Sequence, residues 1–306
     1  MTAAMKTLVD VASILRLHII AIAIMAALTF GMILTDALLV GVALLGGLDW
    51  LLINLLNRVT DVEEDIANKI RGTERLVGKH HLVLGAWVAV QLGSLVLGHV
   101  LHPELTPFRL IVQLIGVGYS YRIVPTFGGL KRLKDLYFFK NFMSAMLFVL
   151  TCLVYPLIAM DFAFASGFGW GSALVLLFFF VPFEITYEIL YDMRDLEGDR
   201  LAKVPTYPVV HGLETSAKII DALLVLATAA LIVGLLTNSI GLRESLMLLA
   251  PALQLAFYKP RFRRGLTSAE CIGLTWLGAG LLAFWLVGTH LWSQAGLPSN
   301  VWLDLF

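Results

Sequence analysis

About nine apolar runs, each close to the length of a bilayer crossing, constrain this chain more than any other feature of its sequence. A spanning helix needs roughly 20 mostly apolar residues, and a hydropathy reading finds such runs near Leu15–Leu34, Ala37–Leu56, Leu82–Val100, Thr106–Tyr119, Phe138–Ala159, Trp170–Leu190, Ser216–Leu236, Leu242–Phe257 and Ser268–Leu291. The fourth is short and interrupted by Gly116 and Gly118. Composition agrees: 59% of the 306 residues are hydrophobic and 14% charged, with mean hydropathy +0.85. A soluble domain has about 45–50% apolar and 25% charged residues. The expectation is one polytopic, all-α membrane domain over residues 1–306, with no soluble domain, linker or low-complexity tract. The N-terminal stretch MTAAMKTLVDVASILR has too little apolar length for a cleavable signal and is expected to run into the first span.

Net charge is zero, but the charges are distributed unevenly. Basic residues gather in Asn57–His81, Arg122–Tyr137, the segment after Asp192, and Tyr258–Leu266, whereas the opposite loops carry only Arg109 and Arg243. By the positive-inside rule the basic loops and the N-terminus are cytoplasmic, and nine spans place the C-terminus outside. Topology and attraction to anionic lipid account for part of this pattern. Cys152 and Cys271 both lie in apolar runs and are expected to be packed, unreactive thiols. The histidines show no ligand spacing, and neither a zinc motif, a GxxxxGK[ST] phosphate loop nor a G-x-S-x-G elbow is present. No nucleic-acid partner is expected.

Two acidic clusters close apolar runs on that basic side. In YDMRDLEGDR, Asp192, Asp195 and Asp199 stand at i, i+3 and i+7, the spacing of one helical face. In NRVTDVEED, Asn57, Asp61 and Asp65 stand at i, i+4 and i+8, drifting slowly but sharing a side. Asp195 and Asp199 lie 134 positions after Asp61 and Asp65, and the same offset sets Asp192 against Arg58. Like charges this close repel, so a cation is the economical partner. Carboxylate oxygen suits Mg²⁺, usually held by one or two carboxylates together with phosphate oxygens and waters. Two such helix ends facing each other make a diphosphate clamp, and Arg71, Lys131, Lys134 and Lys140 are the nearby basic residues that would complete the anion site. The plainer alternative is a pair of solvated helix caps, which leaves the matched spacing unexplained. Glu63, Glu64 and Glu197 lie off the shared faces and are expected to pair with solvent or basic neighbours. Phe138, Phe139, Phe142, Phe178, Phe179, Phe180, Phe183 and Tyr187 lie on the spans near the motifs. Packing explains most of them. Phe183 and Tyr187, nearest the acidic helix end, are the candidates for facing a reacting cation or acceptor.

These residues resemble the UbiA superfamily of intramembrane prenyltransferases, whose members share an NDxxDxxxD motif after the second span and a DxxDxxxD motif after the sixth. The second motif is complete as Asp192, Asp195 and Asp199, and the continuation DLEGDRLAKVPTYPVVHG is similar to the family's DxEGD…PT.PV..G pattern. The first departs at one position, where Arg58 replaces the first aspartate. YSYRIVPTFGGLKRLKDLYFFK looks like a divergent form of the family's tyrosine- and lysine-containing loop, which adds Tyr119 to the diphosphate-binding candidates. The resemblance implies a bundle of nine spans around a central cavity open to the cytoplasmic side, with a lipid-facing portal. It also implies Mg²⁺-dependent transfer of a prenyl group from an isoprenyl diphosphate to an aromatic or quinone-precursor acceptor, in a membrane of the bacterial inner type. A membrane terpene cyclase and an enzyme with a lipid acceptor share the same clamp. An ion-coupled transporter fits less well, since transport sites lie near the bilayer midplane rather than at one end. Arg58, off the line of the other three ligands, is expected to turn toward phosphate or solvent.

Overall fold

A computed structural model describes residues 3–298 and 300–303, with side chains from Met5 onward. Helices α1 (Ala3–Ile14), α2 (Leu17–Thr35), α3 (Val40–Thr60), α4 (Val62–Ala67), α5 (His80–Leu101) and α6 (Thr106–Ser120) come first. A short antiparallel hairpin follows, β1 (Val124–Thr126) with β2 (Gly129–Lys131), Val124 standing opposite Lys131. Then come α7 (Phe139–Val149), a π-helical turn at Leu150–Val154, α8 (Tyr155–Ala159), α9 (Trp170–Arg194), α10 (Leu196–Ala202), α11 (Tyr207–Leu236), α12 (Leu249–Tyr258) and α13 (Ser268–Gln294). The fold is an all-α polytopic membrane bundle.

Seven stretches are long and apolar enough to cross a membrane: α2, α3, α5, the continuous α7–α8 rod, α9, α11 and α13. Two of the nine apolar runs form shorter elements. The fourth is α6, 15 residues long, and the eighth is split into a 3-10 segment, Leu242–Leu248, and the 10-residue α12. The π-turn precedes Pro156, which has no N–H to give the helical ladder and so shifts its register. The N-terminal stretch is not part of the first span: α1 is a separate helix, and the chain turns through Arg16 in the left-handed region (φ 49) before α2 begins.

The core joins Ala23, Ala26, Ala27 and Phe30 of α2 to Phe148 of α7 and Phe180 of α9. Small residues on α2 let its neighbours approach closely, the usual device where lipid removes any hydrophobic drive between helices. Helix α5, by contrast, exposes Leu82, Leu92, Val96 and Val100, the surface expected of a lipid-facing helix.

Within this apolar bundle α3, α5, α6 and α8 are tied by one buried ion pair. Arg109 donates through Nη2 to Asp49 Oδ1 at 2.7 Å and through Nε to Oδ2 at 3.0 Å, and also binds the Ser94 carbonyl and hydroxyl at 2.7 Å each. Gln113 and the Tyr155 hydroxyl donate to the same carboxylate at 3.0 and 3.1 Å. Room for the guanidinium exists because position 98 is glycine; a Cβ there would lie 1.9 Å from Arg109 Nη1. Arg109 is thus an interior residue rather than a loop charge. The other basic residue of the short loops, Arg243, is ion-paired with Glu244 at 3.0 Å and lies over the Trp285 ring.

Candidate active site

The two acidic motifs are built alike, and neither lies on one continuous helix. α3 ends at Thr60 and α4 begins at Val62, so Asp61 stands at the break (φ −109, ψ 24); α9 ends at Arg194 and α10 begins at Leu196, so Asp195 does the same (φ −92, ψ 10). Both breaks fall near the sparsely populated bridge region, where active-site residues recur. The single-face reading of each motif is therefore corrected: each is a helix end, a corner residue and a short helix. The likeness continues through the following residues. Ile70 donates its amide to the Asp65 carbonyl and Val204 to that of Asp199, each at 2.9 Å, while Lys69 and Lys203 take left-handed conformations (φ 54 and 56). All these pairs keep the 134-residue offset. α4 and α10 then pack together, with the Gly198 amide donating to Asn68 Oδ1 at 3.0 Å. Any side chain at 198 would collide with Asn68, the nearest atom lying 2.1 Å from an added Cβ, which explains the glycine of the LEGD run.

Asn57, Asp61, Asp65, Asp192, Asp195 and Asp199 all line one cavity of about 650 Å³. Each aspartate has a basic partner. Lys134 Nζ reaches Asp61 Oδ2 at 2.6 Å and Glu64 at 2.9 Å; Arg58 Nη1 lies 2.5 Å from Asp65 Oδ2. Lys140 Nζ bonds Asp192 Oδ1 at 2.6 Å and lies 3.6 Å from Asp199 Oδ2, Asn141 donates to the other Asp192 oxygen at 2.9 Å, and Arg194 pairs with Asp195. Burial pushes the Asp61 carboxyl up, with Lys134 opposing it. Burial also pushes Asp199 up to about 6, Lys140 opposing and Asp192 and Asp195 adding to the shift.

Of the other predicted residues, Lys134, Lys140 and Tyr119 line the cavity. Arg71 stands at its edge, donating to Asp10 of α1 at 2.8 Å beside Arg75, so that the cavity is walled on this side by α1. Lys131 does not belong to the site. It lies on β2, whose three residues are all exposed, while Lys134 in the 3-10 turn that follows is buried. Arg58 faces neither solvent nor open cavity: it is 4% exposed and held by Asp65. Phe183 and Tyr187 line a smaller apolar extension, with Phe148, Phe179 and Trp285, and it shares Ile22, Phe148, Glu184 and Tyr187 with the main cavity. Phe138, Phe139 and Phe178 are exposed instead.

Sequence reasoning missed Arg16, His18, Glu184, Glu188 and Arg194, which line the same cavity. Arg194 and Glu188 were discoverable, since they stand beside Asp195 and four residues before Asp192. Arg16 and His18 arrive from the α1–α2 turn, for which the sequence has no motif.

The donor chemistry fits a hard divalent cation. The cavity offers carboxylate and amide oxygens, and Asn57 Oδ1 and Asp199 Oδ2 are buried without a hydrogen-bond partner. Among the described residues no three acidic, histidine or cysteine side chains converge as a ready-made cage. That suits Mg²⁺, which ordinarily completes its shell with phosphate oxygens and waters.

A sequence model of the UbiA prenyltransferase family matches residues 17–270, most of the chain and both motifs. The chain belongs to the UbiA prenyltransferase family. No curated protein matches the sequence. Among solved structures, a UbiA homologue from Archaeoglobus fulgidus bound to DMAPP and Mg²⁺ aligns at 15% identity and TM-score 0.67, covering 90% of this chain and 97% of that one. The same homologue bound to GPP and Mg²⁺ aligns at 15% identity and TM-score 0.65, covering 91% and 98%. An apo UbiA homologue from Aeropyrum pernix K1 aligns at 14% identity and TM-score 0.56, covering 90% and 98%. At these identities the structural likeness establishes the shared fold.

Proposed function

We propose that this UbiA-family protein transfers a prenyl group from an isoprenyl diphosphate to an aromatic or quinone-precursor acceptor inside the membrane, with Mg²⁺ as cofactor. The observation that carries the reading is the pairing of two matched acidic corners across one cavity whose inner end becomes apolar and aromatic. The Archaeoglobus fulgidus homologue bound to DMAPP or GPP with Mg²⁺ supports the same substrate class.

Asp192, Asp195 and Asp199 would hold Mg²⁺, which supplies positive charge to the diphosphate oxygens as the leaving group departs, and Asn57, Asp61 and Asp65 face them across the same cavity. Lys140, now bound to Asp192, is placed to donate a hydrogen bond to the same oxygens once that aspartate holds the metal, while Lys134 stays on Asp61. The prenyl chain lies along the apolar extension, where the Phe183 and Tyr187 rings face it. The C1–O bond breaks with its electron pair going to diphosphate, the acceptor carbon forms the new bond to C1, and the acceptor ring loses one proton. Phe148, Phe179 and Trp285 keep water from trapping the allylic cation. The basic loops support placing the site and the N-terminus on the cytoplasmic side, in a membrane of the bacterial inner type.

The test is to incubate purified protein with Mg²⁺ and geranyl, farnesyl or geranylgeranyl diphosphate, with and without hydroxylated aromatic acceptors. Diphosphate release and product mass are then measured. Release that requires an acceptor, with a prenylated product, is the expected result. Hydrocarbon or terpene alcohol formed without acceptor would point to cyclisation instead, and no release with any donor would sink the enzymatic reading.

A further inference from the structure

We infer that Arg58 serves as a resident cation of the first motif, so that this site binds its diphosphate with a single divalent ion, held by the second motif. The inference rests on the diphosphate reading above and concerns how that same site is charged.

By the 134-residue offset, Arg58 occupies the place that Asp192 holds in the second half. Replacing a carboxylate by a guanidinium changes the local charge by two units, which is the charge of one Mg²⁺. Arg58 Nη1 lies 2.5 Å from Asp65 Oδ2, with side-chain exposures of 5% and 10% for the two partners. Beside it, Lys134 lies 2.6 Å from Asp61, with side-chain exposures of 3% and 4%. Each buried carboxylate of the first motif therefore has a buried cation beside it; Lys134 also reaches Glu64 on the wall of the same cavity, and Arg132 adds a second cation 3.3 Å from Asp61. No unbalanced buried charge remains to draw a divalent ion there.

The second motif is charged differently. Asp192 and Asp199 share Lys140, which lies 2.6 Å from one and 3.6 Å from the other, and Asp195 pairs with Arg194. One buried carboxylate charge is left over, and Asp199 Oδ2, like Asn57 Oδ1 and Asp65 Oδ2 of the first motif, has no hydrogen-bond partner. Free oxygens stand in both halves, and it is the uncompensated negative charge that singles out this one for a metal ion.

Arg58 also retains capacity for the substrate. Its Nε has no hydrogen-bond partner, although the residue is 4% exposed and lines the cavity. A buried N–H of this kind seeks an acceptor, and guanidinium matches phosphate geometry well. Arg58 thus neutralises Asp65 on one side and donates to a diphosphate oxygen on the other. It takes the structural place of a metal ion without the ability to dissociate.

The test counts ions. Detergent-purified protein is titrated with Mn²⁺ at saturating farnesyl S-thiolodiphosphate, and bound Mn²⁺ is measured by electron paramagnetic resonance. One Mn²⁺ per chain is expected for the unaltered protein, none for Asp195→Asn/Asp199→Asn, and two for Arg58→Asp. Two ions in the unaltered protein, or one persisting in the double asparagine variant, would overturn the inference; both measurements stand even where Arg58→Asp does not fold. Analogue bound with two ions removes this inference and leaves the diphosphate reading in place, whereas failure of the analogue to bind removes both.

Discussion

Replacing Arg109 by methionine should be among the most damaging single changes in this protein, although Arg109 touches no part of the proposed site. The substitution preserves length and apolar bulk but leaves Asp49, which is 0% exposed, with only Gln113 and Tyr155 as donors at 3.0 and 3.1 Å. Removing one partner of a buried ion pair costs about 3–5 kcal/mol, because the other charge stays buried without compensation. That lowers the folding equilibrium constant roughly a hundred- to several-thousand-fold, at tenfold per 1.4 kcal/mol. The double replacement Asp49→Leu/Arg109→Met removes the stranded charge and should cost less. Gln113 and Tyr155 then lose their acceptor, at about 1 kcal/mol or somewhat more for each group left unsatisfied, whereas the Ser94 groups have lost Arg109 in the single variant already. Part of the single-variant loss should therefore return when the second change is added. Equilibrium unfolding of detergent-solubilised protein, run as a double-mutant cycle, measures that coupling. A double variant as unstable as Arg109→Met would refute the argument, since stability would then depend on packing volume at these positions rather than on the buried charge.

Asp61→Ala and Asp195→Ala should each abolish diphosphate release, because each removes the corner carboxylate of one half of the clamp; an unaltered rate in either would refute a two-sided site. Divalent-ion affinity should fall as pH drops through about 6, where Asp199 gains its proton, and Mn²⁺ titration between about pH 5 and 8 would follow it. The metal-free fold should respond in the opposite sense. A carboxyl whose folded pKa lies above its ordinary value favours the folded state when protonated, so this contribution is lost as pH rises through about 6. Asp10→Asn should loosen α1 from Arg71 and Arg75, which now hold the Asp10 carboxyl below its usual range. Faster amide exchange over residues 5–14, with the melting temperature little changed, is the expected result; unchanged exchange would show that α1 is held by its apolar contacts.

Much of this architecture was legible in the sequence, since apolar length and charge are local properties. The seven long helices coincide with seven of the apolar runs, and the Asp61/Asp195 offset marked two motifs that line one cavity. Hydropathy marks the α6 and α12 runs like the others and carries no signal for the 15-residue length of the one or the break that divides the other. The corners at Asp61 and Asp195 were invisible because a helix break preserves the spacing that suggests a continuous face. Lys131 and Lys134 looked equivalent in a basic loop; the hairpin and the 3-10 turn after it send them to opposite environments. Ion pairs such as Asp49–Arg109 and Arg58–Asp65 depend on which helices become neighbours, and one sequence carries no signal for that.

The matching corners have a consequence for how such a site can change. Were they supplied by two identical subunits about an axis normal to the membrane, every substitution would appear twice, and an arginine in place of one acid would replace both. With the two corners on one polypeptide, each accepts substitutions without its counterpart changing. On the single-ion reading proposed above, one codon is then enough to give such a site a fixed cation at one end and an exchangeable one at the other.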